Sequence, residues 1–463
     1  MKQSKSRAYG YGSMLALVLL VVSCAETPPH PEPVTLQVWT TENAQATLDV
    51  MEEIGQQMAS GDELITAVEV RSLLWSELHV ELQKAFKAGT LPAVTHLEPF
   101  FMSFYVANDL VLPVDDLIEK LGGKERIHSI VRDTTYFNGR FWGIPQHYSI
   151  AHVVTRKNLV DAAGSKLPET WEEMLGFLSE LADSDSKRAG LYFPGGSKFA
   201  VDAMFFMALG SNGGRAFTAD GQPDLDSPKV HETLEYLKKF VEQAPPADWQ
   251  SAGLPQMFPQ LIQGGVAVLP LVPPRGTMFF DQNWTEESVR ETGLKAPEEF
   301  IVLDPPVGPS GEHSVALLDC EPFVVINQDK NNGTTDSQGQ LIEDAGKKYL
   351  ELLYANENYS KLTASVPIQL QPIFVDMEED YAKLESVERW GTWYEQSVRF
   401  VREGRVSPFF TTHPDEIAIP YLYLLYSENI ITDMVLKTVT GEASPAEAAS
   451  EAQQRALKVA KDN

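Results

Sequence analysis

His147 and His152 are a pair whose type could do chemistry, because imidazole nitrogens bind zinc-class metals and exchange protons near neutral pH. They fall in a stretch read as one extended strand. An odd separation in a strand sends two side chains to opposite faces, so no metal site is expected there. The 65 acidic residues offer many carboxylate pairs of the kind glycoside hydrolysis uses. A secreted carbohydrate-active enzyme therefore stays open as an alternative, as does a surface adhesin lacking a cleft. More specific signatures are missing: no His-Glu-x-x-His, no Gly-x-Ser-x-Gly and no phosphate loop ending in Gly-Lys-Ser/Thr. Cys320 lies between the apolar runs Val315–Leu318 and Phe323–Ile326 and reads as a small buried hydrophobe. No catalytic set emerges, so neither enzymatic activity nor a cofactor is expected.

The beginning of the chain carries a different chemistry. Lys2, Lys5 and Arg7 precede an apolar run from Met14 to Val22, too short to span a bilayer and right for a secretory signal. The run ends in Val21-Val22-Ser23-Cys24, a lipobox-like sequence. Residues 1–23 are expected to be removed and Cys24 lipidated, with 24–33, carrying four prolines, as a semi-rigid tether to the membrane. The whole chain has a formal net charge of −28. Such a surface repels phosphate backbones, which argues against a nucleic-acid partner.

The elements that must position any site follow a recognisable order. Val34–Trp39 alternates as a strand and leads into the polar Thr40-Thr41-Glu42-Asn43. Leu48, Met51, Ile54 and Met58 then recur at helical spacing. A short strand, Ala67–Val70, precedes a second helical stripe of Trp75, Leu78, Leu82 and Phe86. Strand–helix–strand–helix is the start of an α/β sheet. Thr170-Trp-Glu-Glu173 and Ser444-Pro-Ala-Glu447 are capping boxes, Ser227-Pro228 opens a helix, and Asn138-Gly139 marks a hairpin turn.

In this order the segments resemble the family 1 extracellular solute-binding proteins of ABC importers, the maltose-binding-protein-like sugar receptors. The resemblance is carried by the strand ending Val38-Trp39, by Leu82–Val94, Tyr105–Leu117 and Phe137–Pro145 with Val153–Leu159, and by Leu167–Glu173, Leu261–Leu269 and Gly441–Ala449. It implies the type II periplasmic-binding fold: two α/β lobes joined by about three crossovers. The first lobe is expected over 34–148 and 300–367 and the second over 149–299 and 368–463, with crossings near Gln146–His152, Pro297–Val302 and Val366–Gln371. It also implies a monomer that captures a sugar or oligosaccharide between the lobes and delivers it to membrane permease subunits.

A sugar offers apolar C–H faces and polar edges, so its cleft wants aromatic rings beside short polar side chains. Thr41, Glu42 and Asn43 match the family's polar ligand loop, although Thr41 or Asn43 could instead cap the following helix. Glu98 and Phe101 follow the third strand, and Tyr148 sits at the first crossing. Maltose-type receptors carry a stacking tryptophan where this chain reads Leu271-Val-Pro-Pro-Arg275; Arg275 or Trp284 is expected to substitute. Phe410 and Thr411 complete the candidates. Trp390 and Trp393 are assigned to packing.

Overall fold

The computed structural model describes residues 31–183, 187–244, 249–331, 336–408 and 419–462. Cys24, Phe410 and Thr411 lie outside these residues. Among the described residues, no helix is long and apolar enough to cross a membrane.

The alternating run Val34–Thr40 forms the second strand of a five-stranded sheet. It lies parallel to Ile65–Ser72 on one side and to Val94–His96 on the other; Pro322–Val325 and Ile144–Pro145 follow antiparallel. Helix Gln45–Ser60 buries Met51, Ile54 and Met58 against this sheet, as their spacing predicts. Helix Trp75–Ala88 buries Leu78, Leu82 and Ala85 rather than Phe86, which is 41 % exposed. It ends at Gly89, whose φ of 67° is left-handed backbone that glycine takes without strain.

A second sheet runs Phe300–Leu303, His152–Arg156, Val266–Val272, Ala189–Leu191. Val266–Val272 is buried along its whole length, covered by helices on both faces. The capping boxes form as read. Thr170 accepts from the Glu173 amide while Glu173 reaches back to the Thr170 amide, and Ser444 and Glu447 do the same. The turn Asn138-Gly139, both at positive φ, joins the hairpin Tyr136–Phe137 and Arg140–Phe141.

Between the two sheets the chain crosses through a three-stranded sheet of Val406–Pro408, Ala316–Asp319 and Ser149–Ile150. The first crossing lies between Pro145 in the first sheet and His152 in the second. The return crossing departs from the expectation. Phe300–Leu303, assigned from sequence to the first lobe, pairs antiparallel with Val153–Arg156 in the second sheet, and the Phe300 ring stacks on Phe280 at 4.0 Å. The chain returns only through Ala316–Pro322. The apolar run Phe-Ile-Val-Leu suits either sheet equally, so its pattern carried no lobe assignment. The third segment, Val366–Gln371, runs beside the other two, with the Gln371 carbonyl accepting from the Tyr148 amide at 3.1 Å.

His147 and His152 do not share a strand. His147 falls in the gap before Ser149–Ile150, whereas His152 opens the second-lobe strand, its ring tilted against Trp393 at 4.7 Å and its Nδ1 2.6 Å from Gln396 Oε1. Trp393, Trp390 and Cys320 are all buried.

Candidate functional site

The strand Val34–Thr40 empties into Thr41-Glu42-Asn43, and none of these three caps the next helix. That helix starts at Gln45 behind Ala44, with no side-chain cap. The loop's polar groups are directed elsewhere. Thr41 Oγ1 lies 2.9 Å from His96 Nδ1, itself at the end of the neighbouring strand Val94–His96 and packed face to face on Phe323 at 3.7 Å. Glu42 is 2 % exposed, and its carboxylate accepts from Arg275 Nη2 at 3.0 Å; Asn43 Oδ1 accepts from Arg275 Nη1 at 2.7 Å.

Arg275 comes from the second lobe, so these contacts bridge the lobes. Its position follows from the sequence around it. Val266–Val272 is an entirely buried strand, and Pro273-Pro274 stiffens its exit and offers no amide hydrogen. Arg275 is the first residue after them able to donate, and its amide goes to Gln369 Oε1 at 3.1 Å. Gln369 Nε2 in turn lies 2.7 Å from Asp319 Oδ2 and 3.3 Å from His147 Nε2. Glu321 Oε2 is 3.9 Å from the same imidazole nitrogen.

The electrostatics of this floor are set by desolvation. Burial, helped by the neighbouring carboxylates Asp319 and Glu42, pushes the Glu321 carboxyl well above the ordinary range. Burial lowers His147 despite those same carboxylates, and lowers His96 further. Glu98 is raised to about 8 by burial, with Lys198 acting in the opposite direction. Two orphaned groups line the same region: both side-chain amide atoms of fully buried Gln146, and His96 Nε2. These are polar groups short of partners, which a polar ligand or water can supply.

Aromatic side chains gather where helix Pro99–Ala107 meets helix Leu422–Ser427. Phe101, on helix Pro99–Ala107, stacks on His79 at 4.3 Å. Phe104 meets Tyr423 at 4.3 Å, and Phe100 meets Tyr426 at 4.7 Å, both tyrosines on helix Leu422–Ser427.

Two sequence candidates are corrected. Tyr148 is fully buried and donates to Glu378 Oε1 at 3.0 Å, with the His128 ring against it; a tyrosine next to a crossing packed inward because a buried acid was there to take its hydroxyl. Trp284 packs edge-on against Phe300 at 5.1 Å and donates to the Leu294 carbonyl, inside the second lobe. Sequence reasoning did not select Asp319, Glu321, Gln369 or His96. One signal was available: Asp319 and Glu321 are charges set inside the apolar stretch Val315–Ile326, and a carboxylate is rarely placed there without a use.

Two lobes, a three-segment crossing and a polar pocket bridged by one arginine define a solute-binding clamp. The bacterial extracellular solute-binding protein family matches residues 56–360, and the chain belongs to that family. Among curated proteins it is 23 % identical over 163 residues to YcjN of Escherichia coli strain K12, named as an ABC transporter periplasmic-binding protein; the match spans 35 % of this chain and 38 % of that one. Solved structures share the fold over nearly their full length. T. maritima MalE3 with bound maltose superposes with a TM-score of 0.72 at 15 % identity, covering 92 % of this chain and 100 % of that one. A sugar transporter from Arthrobacter chlorophenolicus A6 with laminaribiose gives 0.71 at 18 %, covering 92 % and 99 %. A solute-binding protein from Agrobacterium radiobacter K84 with ribitol gives 0.70 at 18 %, covering 93 % and 100 %.

Proposed function

We propose that this protein captures a sugar or oligosaccharide in the interlobe cleft, without altering it, and delivers it to the permease of an ABC importer. The observation that carries this reading is the bridge of Arg275 to Glu42 and Asn43, joined through Gln369 to Asp319. These are short, mutually oriented donors and acceptors of the kind that bind hydroxyl edges. The structural neighbours named above hold maltose, laminaribiose and ribitol, all polyhydroxylated. Binding closes the lobes about the three crossing segments, shifting an open–closed equilibrium. Cys24 carries the lipid that keeps the protein at the membrane as a monomer.

A thermal-shift screen against a carbohydrate and polyol panel tests the central claim. A ligand at 100 times its Kd adds about 2.7 kcal/mol of stability. Product release from the same ligand would reassign the protein to the enzymes, and silence across the panel would remove the sugar reading. Membrane fractionation of Cys24→Ser tests the anchor; unchanged membrane retention with normal processing would remove it.

A further inference from the structure

Three side chains from separate parts of the chain present donor atoms within 4.8 Å of one another at the cleft floor. Glu42 comes from the loop after Val34–Thr40. His147 comes from the first crossing, and Glu321 from the turn between Ala316–Asp319 and Pro322–Val325. All three belong to the first lobe and its crossings, so the set does not depend on where the second lobe stands. Nitrogen and oxygen ligands lie about 2.0–2.2 Å from a first-row dication, and therefore about 3–4 Å from one another. Two glutamates have the rotatable bonds to close that difference.

The surroundings are short of positive charge and of partners. Asp319 adds a third carboxylate acting on both His147 and Glu321, against the Arg275 guanidinium, which is engaged with Glu42. His147 is wholly buried; its Nε2 faces Glu321 at 3.9 Å and meets the Gln369 side-chain amide at 3.3 Å, so a metal there would displace that amide, while Nδ1 has no hydrogen-bond partner. Glu42 is buried and Asp319 and Glu321 are half-buried, and carboxylates so placed in excess of their counter-ions are stabilised by a further cation or by taking up protons. A mixed set of one imidazole and two carboxylates matches the preference of zinc and manganese more closely than that of calcium, which takes oxygen alone.

We infer that the cleft floor holds a transition-metal dication on His147, Glu42 and Glu321. Because Glu42 also takes the Arg275 guanidinium, metal and interlobe bridge compete for one carboxylate. This inference does not rest on the sugar reading.

The test is a calorimetric titration of the full-length protein, purified without an affinity tag and stripped with EDTA, using zinc and then manganese in the absence of carbohydrate. One equivalent per chain is expected. His147→Asn and, separately, the near-isosteric Glu321→Gln should each weaken binding by about 100-fold or more, since even groups behind metal ligands are worth about 10- to 100-fold. Arg275→Gln should tighten it, by freeing Glu42. Circular-dichroism melts establish which variants fold, and Glu321→Gln decides the matter if His147→Asn does not. Absence of stoichiometric binding overturns the inference, as does binding unchanged in the folded variants, which would place the metal on the acidic surface. Glucosamine that binds in EDTA and is not displaced by zinc would assign the missing charge to a ligand ammonium, and would overturn it too.

Discussion

Arg156 and Arg275 each meet a glutamate almost wholly removed from solvent, Glu299 at 2.9 Å and Glu42 at 3.0 Å. Their surroundings differ. The Arg156 side chain is 9 % exposed, bonds the Ile262 carbonyl and lies over the Trp284 ring at 5.1 Å, all within the second lobe. The Arg275 side chain is 35 % exposed, and its partners belong to the other lobe. A pair locked by packing holds one geometry at all times. A pair whose arginine keeps one side in water can exchange its partner for a ligand or for solvent at small cost. Similar ion-pair distances thus serve architecture in one place and, under the proposed function, closure in the other.

The largest effect is expected inside the lobe. Glu299→Ala strands a buried guanidinium and should cost about 3–5 kcal/mol in thermal or denaturant unfolding. If Glu42→Ala destabilises the ligand-free protein as much, the two pairs are alike and the comparison fails.

Glu98 supplies a carboxylate with no arginine, and so a pH signature. Its folded pKa of about 8 exceeds the ordinary 4.5, so the native state holds a proton that the unfolded chain releases. Its contribution to stability is therefore complete below about pH 4.5 and is lost as pH rises towards 8. The effect is on the order of a few kcal/mol, each pKa unit being worth about 1.4. Glu98→Gln should flatten the melting temperature between pH 5 and pH 8.5; an unaltered slope would show that another group titrates there.

Glu42→Ala should weaken ligand affinity by about tenfold or more, because it leaves a ligand hydroxyl unpaired in a closed cleft. Calorimetry with whichever sugar the screen identifies measures this, and normal affinity would remove Glu42 from the ligand contacts. Asn43→Ala is the mildest change. Asn43 is exposed, and losing one of the two Arg275 contacts should shift stability by only a few tenths of a kcal/mol. A shift above about 1 kcal/mol would mean that Asn43, rather than Glu42, fixes the bridge.

The sequence revealed the elements more readily than their partners. Periodicity at Leu48–Met58, the Thr170–Glu173 box and Asn138-Gly139 are local signals, and each is met in the structure by the element it encodes. Phe300–Leu303 shows where local information stops: four apolar residues specify burial but not which of two sheets supplies it. The site divides in the same way. Glu42 and Asn43 were legible because a polar loop after a strand opens towards a cleft in this architecture. Arg275 stood out because an arginine after two prolines replaced an expected ring. Glu321 and Asp319 reach the same pocket through the return crossing and Gln369 through the third segment, Val366–Gln371, and the positions of both depend on long-range pairing. Tyr148 misled because adjacency to a crossing does not say which way a ring turns, and Glu378 decided it.

The three segments that join the lobes also converge on a single side chain. Gln369, on one of them, touches Asp319 on the second and approaches Ser149 on the third at 3.5 Å. When two bodies swing about a fulcrum, displacement grows with distance from it, so these residues travel least and the outer rims sweep the longest arc. Under the proposed function, groups at the fulcrum should meet a solute almost equally in both postures, whereas Arg275, carried on the moving arm, should meet it in only one. The two kinds of contact should therefore report binding differently. A fluorophore coupled away from the fulcrum, for instance at exposed Glu77→Cys, would register each capture event, while one placed beside Gln369 would stay nearly constant through the same stroke.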